Sequence, residues 1–337
     1  MRKEAVQTLD DLARLANVSK STVSRALNNS PLLSQETKER IQAIARKYHY
    51  RINAPARNLR MRQSHTIGFV APDYSPEFLS VEDLFGQELL SGVGKGLQAL
   101  GYDLLIIHVT PRDTTWASEY LDSGRVDGFV LVTSHLKPAQ IQKLIELEVP
   151  FIGWGTPFPG LHYCSVSGDN FAGGRLATDR LIQIGRKRVA FLGGPEGNVT
   201  VQQRLRGYED ALHAAGIKVD PNLVIYTDYS YASGLAAMER LFDRSPGLDA
   251  VFVNSDLMAI AAIRVIQGRG RSVPGDVAVV GYDDLPIARY NSLPLTTVRQ
   301  DLRLAGKLLA QNLIQYIQTG VVTNVVLPVS LVLRETA

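Results

Sequence analysis

Residues Thr8–Asn29, TLDDLARLANVSKSTVSRALNN, lay out two short helices separated by a tight turn. Thr8, with Asp11 three residues on, has the spacing of a capping box. Leu9, Leu12, Ala13 and Ala16 then fall on one helical face. Asn17 and Val18 form the turn, and Ser19 is a good N-cap for the second helix. On that helix Val23, Ala26 and Leu27 point inward, while Ser21 and Arg25 share the outward face with Lys20 beside them. Ser34 caps a third helix whose Ile41, Ile44, Ala45 and Tyr48 are expected to complete a small core. A helix that only packed against that core would have no use for two bulky cations among small hydroxyls.

Two helices joined by about three residues, the second exposing hydrogen-bonding side chains near its N-terminus, form a helix-turn-helix. Lys20, Ser21 and Arg25 are then free for base edges in a major groove, where an arginine on guanine gives about 1–3 kcal/mol of discrimination. Thr22, Ser24 and the helix termini suit phosphates, which position the protein without reading sequence. A three-helix bundle with a solvated charged surface would share this pattern, and charge bears on the choice. Residues 1–64 hold 13 Lys/Arg against 5 Asp/Glu, a balance of +8, whereas the other 273 residues hold 23 and 28, a balance of −5. A basic head on a mildly acidic body points to a polyanion partner for the head alone.

The segment at 8–29, followed by SQETKERIQAIARKYHY at 34–50, closely resembles the headpiece of the lactose-repressor/galactose-repressor family of bacterial transcription regulators. Leu33 stands where a valine usually precedes the serine, and the similarity continues along essentially the whole chain. The resemblance implies an all-α helix-turn-helix headpiece (1–50), a hinge segment (51–65) and an α/β body (66–337). It places Lys20, Ser21 and Arg25 at base-reading positions. The DNA-facing set is then Ser19, Lys20, Ser21, Thr22, Ser24, Arg25 and Asn28, joined in the hinge by Asn53, Ala56, Arg57 and Leu59.

Within RINAPARNLRMRQSH, Arg51–His65, Asn53 can cap a helix reaching about Leu59. An isolated helix needs roughly 12 residues to persist in water, so this one should order only on a partner. A plain basic linker is the other reading. In the resembled family the segment is a hinge helix in the minor groove, and the leucine matching Leu59 wedges between base pairs, as an apolar wedge that kinks DNA does. Arg57, Arg60 and Arg62 suit phosphates. Pro55 departs from the branched aliphatic residue usual there; proline is tolerated in a first helical turn.

Of the 337 residues, 45% are apolar and 20% charged. The start, MRKEAVQTLDD, lacks the apolar region of a secretory signal. No apolar run reaches the roughly 18 residues of a membrane span. A single cysteine, Cys164, fits a reducing cytoplasm. His162 and Cys164 lie two apart without further partners, so no metal site is expected. SGVGKG at 91–96 spells G-x-G-x-G inside a helical stretch, a poor dinucleotide fingerprint. No P-loop, HExxH or GxSxG pattern occurs, and neither a catalytic set nor a cofactor is expected.

From Thr66 onward short apolar runs (IGFVAP, YDLLIIHV, DGFVLV, VPFIGWG, RVAFLGG, LVIYTD, DAVFVNSD, DVAVVGYDD) alternate with helical stretches such as 85–99, 171–184, 201–215 and 257–267. That alternation implies doubly wound parallel sheets, and its length suggests two lobes. The resemblance arranges them like a periplasmic sugar-binding protein, with crossovers near 163–166, 291–295 and 322–326. Lobe one would hold about 66–164 and 294–324, and lobe two 165–293 and 325–337.

Ligands of open α/β sheets sit beyond the carboxyl ends of the strands. Asp169, Asp256 and the pair Asp283-Asp284 close such runs, Arg204 opens a helix after FLGGPEGN, and Pro72 and Asp73 end the first strand. Carboxylates accepting from paired hydroxyls, with an arginine fork donating back, suit a neutral polyhydroxylated ligand. Trp154, Phe158 or Tyr229 offer faces for a sugar ring. The resemblance matches Asp169, Arg204 and Asp283 to effector contacts and Tyr229 to an aromatic pocket position; Ser255 replaces a frequent asparagine. Asp256 would equally cap the helix starting at Leu257, and Asp284 would equally be a structural cap.

The family implication is a cytoplasmic, nucleoid-associated homodimer on a palindromic operator. Its dimer surface is expected around 73–98, and its DNA affinity is set by a small effector between the lobes, a sugar in the commoner case. A purine or nucleoside corepressor, or a partner protein, is the alternative signal.

Overall fold

The computed structural model describes residues 8–27, 29–48, 50, 63–72, 83–109, 115–133 and 136–337. Contacts divide the chain into two compact units, 1–64 and 65–337. The expected hinge helix, with Asn53, Pro55, Ala56, Arg57 and Leu59, lies outside the described residues, as do Asn28 and Asp73.

In the first unit, α1 (Leu9–Ala16) starts on the anticipated capping box: Thr8 Oγ1 accepts from the Asp11 amide at 3.2 Å and the Thr8 amide donates to Asp11 Oδ2 at 3.0 Å. It ends at Asn17, whose left-handed backbone (φ 49°) makes the turn tight. Ser19 Oγ accepts from the Thr22 amide at 3.1 Å and opens α2 (Lys20–Leu27). Ser34 caps α3 (Gln35–Lys47). Leu12, Ala16, Val23, Ala26, Ile41 and Ala45 form the core. Tyr48 does not join it, being 37% exposed. The helix stops one residue earlier, and the Tyr50 amide reaches back to the Ala45 carbonyl at 2.9 Å, which brings Tyr50 onto the core instead.

The second unit holds two six-stranded sheets. Lobe one begins β1 (Thr66–Pro72), α4 (Leu84–Ala99), β2 (Asp103–Val109), α5 (Trp116–Asp122), β3 (Gly128–Val132), α6 (Pro138–Glu146), β4 (Phe151–Trp154), β5 (Cys164–Gly168). Lobe two follows with α7 (Asn170–Gln183), β6 (Val189–Gly193), α8 (Val199–Ala214), β7 (Val224–Tyr226), α9 (Tyr231–Arg244), β8 (Ala250–Val253), α10 (Asp256–Gly268), β9 (Ala278–Asp283), α11 (Pro286–Tyr290), β10 (Thr297–Arg299). The chain then returns as α12 (Leu302–Thr319) and β11 (Asn324–Leu327), and ends with β12 (Ser330–Val332). Sheet one runs β11-β5-β4-β3-β1-β2, all parallel. Sheet two runs β12-β10-β9-β8-β6-β7, parallel except for the β10–β12 pair. Strands β3, β4, β6, β8 and β9 are buried throughout, as parallel strands covered on both faces must be, and so read as apolar runs. No helix among the described residues is long and apolar enough to cross a membrane.

The lobe boundaries differ from expectation. Strand β5 stays in sheet one, β10 in sheet two and β11 in sheet one, so the chain changes lobe after Gly168, Arg299 and Leu327. Each crossover falls a few residues beyond its expected place. The resemblance put the first crossover inside CSVSG, yet Ser165 Oγ donates to Asn324 Oδ1 of the neighbouring strand of sheet one at 2.9 Å. Thr297 of β10 is buried because its hydroxyl bonds to Asp256. A polar residue satisfied by a distant strand leaves no local signal.

SGVGKG is helical, and its Gly92 and Gly96 serve packing. A Cβ on Gly306 of α12 would lie 2.4 Å from the Gly92 carbonyl carbon of α4, so the helices touch backbone to backbone. Gly94 faces open space apart from Leu104 at 3.6 Å. Gly306→Ala should therefore destabilise lobe one by about 1–3 kcal/mol. Gly94→Ala should be neutral or stabilising, by up to about 1 kcal/mol. Urea unfolding of the two variants checks both, and equal effects would contradict the contact.

Candidate functional site

On the head, Ser19, Lys20, Ser21 and Arg25 are exposed, with Thr22 and Ser24 half-buried beside them. Ser19 Oγ lies 2.8 Å from both Ser21 Oγ and Thr22 Oγ1. Lys20 Nζ meets Asp10 at 2.8 Å with both side chains more than half exposed, an ion pair that is cheap to exchange for another anion. Val23 and Ala26 anchor the opposite face, so the backbone of α2 holds Lys20, Ser21 and Arg25 as one polar surface.

In the body, Arg204 of α8 is only 5% exposed. Its Nε donates to Asn170 Oδ1 at 2.9 Å, its Nη1 donates to the Asn254 carbonyl at 2.8 Å, and the guanidinium sits 3.6 Å over the Tyr282 ring. Asn170 opens α7, Asn254 follows β8, and Tyr282 lies in β9, so three strand ends converge on one cation. Asp283 ends β9, buried, with φ 115° and Oδ1 accepting from Gln300 Nε2 at 2.8 Å. Burial pushes its pKa up to about 7; the Arg204 charge and the Gln300 bond oppose this, and Asp83 from lobe one adds to it. Tyr229, with φ 74°, lays its ring against Gly194 and interacts electrostatically with Arg204 and Asp283. Asp169 is half-buried at the N-terminus of α7, accepting from the Ala172 amide at 2.9 Å. Asp169, Arg204, Tyr229 and Asp283 are thus brought together around Tyr282.

Other candidates take different places. Ser255, not Asp256, caps α10, through the Met258 amide at 3.3 Å. Asp256 is fully buried and accepts from Thr297 Oγ1 at 2.6 Å and the Leu285 amide at 2.7 Å, so both its oxygens brace the protein. Burial and the neighbouring Asp283 push its carboxyl well above the usual range. Asp284 is clamped by Arg299 at 2.6 Å and Arg334 at 2.5 Å, the structural reading. Trp154 and Phe158 are buried in the two packing layers of lobe one. Pro72 is the last residue of β1.

Sequence reasoning missed Asn170, Asn254, Tyr282 and Gln300. Asn254 is fully buried at the carboxyl end of β8, and neither Oδ1 nor Nδ2 has a hydrogen-bond partner. The lobes also meet directly: Asn170 Nδ2 donates to Thr156 Oγ1 at 3.2 Å, and the Thr156 amide donates to Thr200 Oγ1 at 3.4 Å. A cavity of about 460 Å³ reaches from Glu88 and Arg303 to Arg289 and Arg299 and shares Asp283 and Gln300 with the site. No group of three metal-ligating side chains occurs among the described residues.

The HTH-type transcriptional regulator CelR of Thermobifida fusca is 39% identical to the chain over 339 residues, covering 99% of this chain and 97% of that protein. The chain belongs to the lacI family. Residues 8–53 match the family described as bacterial regulatory proteins, lacI family, and 178–337 match the periplasmic binding protein-like domain. A solved CelR–cellobiose complex superposes with a TM-score of 0.75 at 36% identity, over 98% of this chain and 99% of that one. A lac repressor dimer bound to operator and the anti-inducer ONPF gives 0.82 at 29% identity, over 98% of both chains. The head is accordingly the DNA-binding module of a lacI-family transcription regulator, and the two-lobed body is its periplasmic-binding-protein-like partner.

Because the folded-state pKa of Asp283 lies above that of a free carboxyl, its contribution to stability is present at low pH and lost as pH rises from about 4 through about 7. Asp283→Asn should therefore stabilise the protein relative to wild type more at pH 8 than at pH 5. Denaturant unfolding at the two pH values measures the difference; a pH-independent gap would contradict the raised pKa.

Proposed function

We propose that this regulator is a repressor that binds a palindromic operator as a homodimer and that a small carbohydrate held between the lobes sets its operator affinity. The observation that carries the effector half is the placement of Arg204, Asp283 and Tyr229, close enough to feel one another's charge, at the carboxyl ends of lobe two. A guanidinium donates to ring or hydroxyl oxygens, a carboxylate accepts from hydroxyls, and a flat ring supplies an apolar face, which together suit a sugar. Asp169 adds a second acceptor, and Pro72 with Asp73 would line the site from lobe one. The relative solved with cellobiose supports this class.

The DNA half rests on α2. Lys20, Ser21 and Arg25 read bases while Ser19, Thr22, Ser24 and Asn28 meet phosphates and flanking groups. The hinge, with Asn53, Ala56, Arg57 and Leu59, folds in the minor groove only when two copies lie side by side on the duplex. The lac repressor solved as a dimer on its operator supports this arrangement. Such a protein works where bacterial DNA is, in the cytoplasm, and it performs no catalytic step. Effector binding shifts operator affinity by its preference for one lobe angle.

Three measurements test the reading. Selection of duplexes from a random pool should return an inverted repeat, and Arg25→Ala should lose about 1–3 kcal/mol of discrimination at one base pair per half-site. Leu59→Ala should weaken operator binding and leave effector affinity intact. In a thermal-shift panel of cellobiose, other sugars, nucleosides and purines, a sugar should stabilise the protein by about 2.7 kcal/mol at 100 times its Kd. Arg204→Ala should abolish that shift. Stabilisation by purines alone would overturn the carbohydrate assignment.

A further inference from the structure

Gln300 follows β10 at the second crossover between the lobes and is only 6% exposed. Its Nε2 donates to Asp283 Oδ1 at 2.8 Å, and its amide donates to the Asp283 carbonyl at 3.3 Å. Its Oε1 rests against Gly168, the last residue before the first crossover: a Cβ there would come within 2.5 Å of Oε1. The same Cβ would lie 3.3 Å from Val329 Cγ1, which belongs to the third crossover. Gly168, Gln300 and Val329, one from each strand that joins the lobes, therefore meet at a single point.

The contact continues to the other side of the site. The Gly168 carbonyl accepts from Asn170 Nδ2 at 3.0 Å, and Asn170 Oδ1 accepts from Arg204 Nε at 2.9 Å. Asp283 and Arg204 are thus joined through Gln300, Gly168 and Asn170 by a path that crosses the lobe junction. Lobe rotation is absorbed by backbone torsions at a few crossover residues. A side chain wedged among all three, and bonded to a carboxylate of the site, moves with the rotation and with that carboxylate.

We propose that Gln300 is the positioning residue that couples occupancy of the Asp283 site to the angle between the lobes. The proposal rests on the carbohydrate reading of that site, and it makes Gln300 necessary for the response while leaving both binding events in place. With Oδ1 held by Gln300, the carboxylate presents Oδ2 to the ligand in a direction fixed by the crossovers. Loss of the amide frees Asp283 to meet the ligand at either lobe angle, and a ligand with equal affinity for two states shifts nothing.

The test uses the full-length protein, cellobiose as probe and the selected operator duplex. Effector Kd comes from calorimetry, and operator Kd is measured with and without saturating cellobiose. Allosteric ratios of this kind run about 5–150-fold. Gln300→Leu, which keeps the volume and removes the donor, should bring the ratio of the two operator Kd values to within about threefold of one, with operator Kd in the absence of sugar unchanged. Gly168→Ala, which pushes on Oε1 without touching Asp283, should reduce the ratio likewise and leave cellobiose Kd within about threefold of wild type. A wild-type ratio in Gln300→Leu, or a loss confined to cellobiose affinity, would overturn the role of Gln300. If cellobiose does not bind the wild-type protein, the probe is the sugar of the thermal-shift panel that does, and binding of none of them would overturn the carbohydrate reading and this coupling with it.

Discussion

A cation inside a sheet-and-helix lobe has to be compensated where it sits, and Arg204 is that cation here. Removing a guanidinium from water is costly unless its donors and its charge are met nearby. The protein meets them with the Asn170 and Asn254 oxygens and the face of Tyr282, all neutral, and only then with the Asp283 carboxylate. These partners come from α7, β8 and β9, so the arrangement of lobe two is fixed around one side chain. The close approach of α7 and α8 is part of the same constraint: a Cβ on Gly174 would sit 2.1 Å from the Arg204 carbonyl oxygen. A larger residue there would move α7, and with it Asn170, away from the guanidinium.

What the sequence made legible was whatever depends on neighbours close in the chain. The Thr8–Asp11 box, the Ser19 and Ser34 caps and the turn at Asn17 follow from spacing alone, and the head emerges nearly whole from them. The apolar runs of the parallel strands were equally readable because both their faces are covered. Tyr48 was misplaced because helical periodicity was carried one residue past the end of α3. The lobe boundaries came from the resemblance, and the residues themselves could not correct them: Ser165 and Thr297 are polar groups whose partners lie 159 and 41 residues away. Gln300 and Asn254 escaped for the same cause, since a short strand and a buried carboxamide acquire meaning only from distant contacts. The hinge residues from Asn53 to Leu59 lie outside the described structure and keep the standing of a reading from sequence.

The two units of the chain solve opposite electrostatic problems. The head keeps Lys20 and Arg25 on the surface, where Lys20 meets an exposed partner in Asp10 and long-range attraction to a polyanion acts freely. The body buries its key charges and spends hydrogen bonds on fixing their positions, as with Asp256 between Thr297 and Leu285. A surface cation gains speed and nonspecific affinity, and a buried one gains geometry. The proposed function needs both, because an operator has to be found quickly and an effector has to be told from its competitors by the direction of its hydrogen bonds.

The raised pKa of Asp283 joins these ideas. With its pKa raised to about 7, Asp283 is poised between two protonation states, and the ionised one is the stronger acceptor for hydroxyl donors. In the proposed complex the ligand therefore draws Asp283 toward the charged form and strengthens its attraction to Arg204. That attraction pulls in the direction in which the Gln300 bond already acts, since both lower the carboxyl pKa. Effector, arginine and glutamine thus act on one oxygen pair, and the state of that pair depends on how closely Asp83 of lobe one faces it. Asp83 is a like charge that raises the cost of ionising Asp283, and a ligand whose donors bond the carboxylate offsets it. The lobe angle and the charge of a single carboxyl are, on this argument, one linked equilibrium, so a ligand without hydrogen-bond donors has no means of shifting it through Asp283.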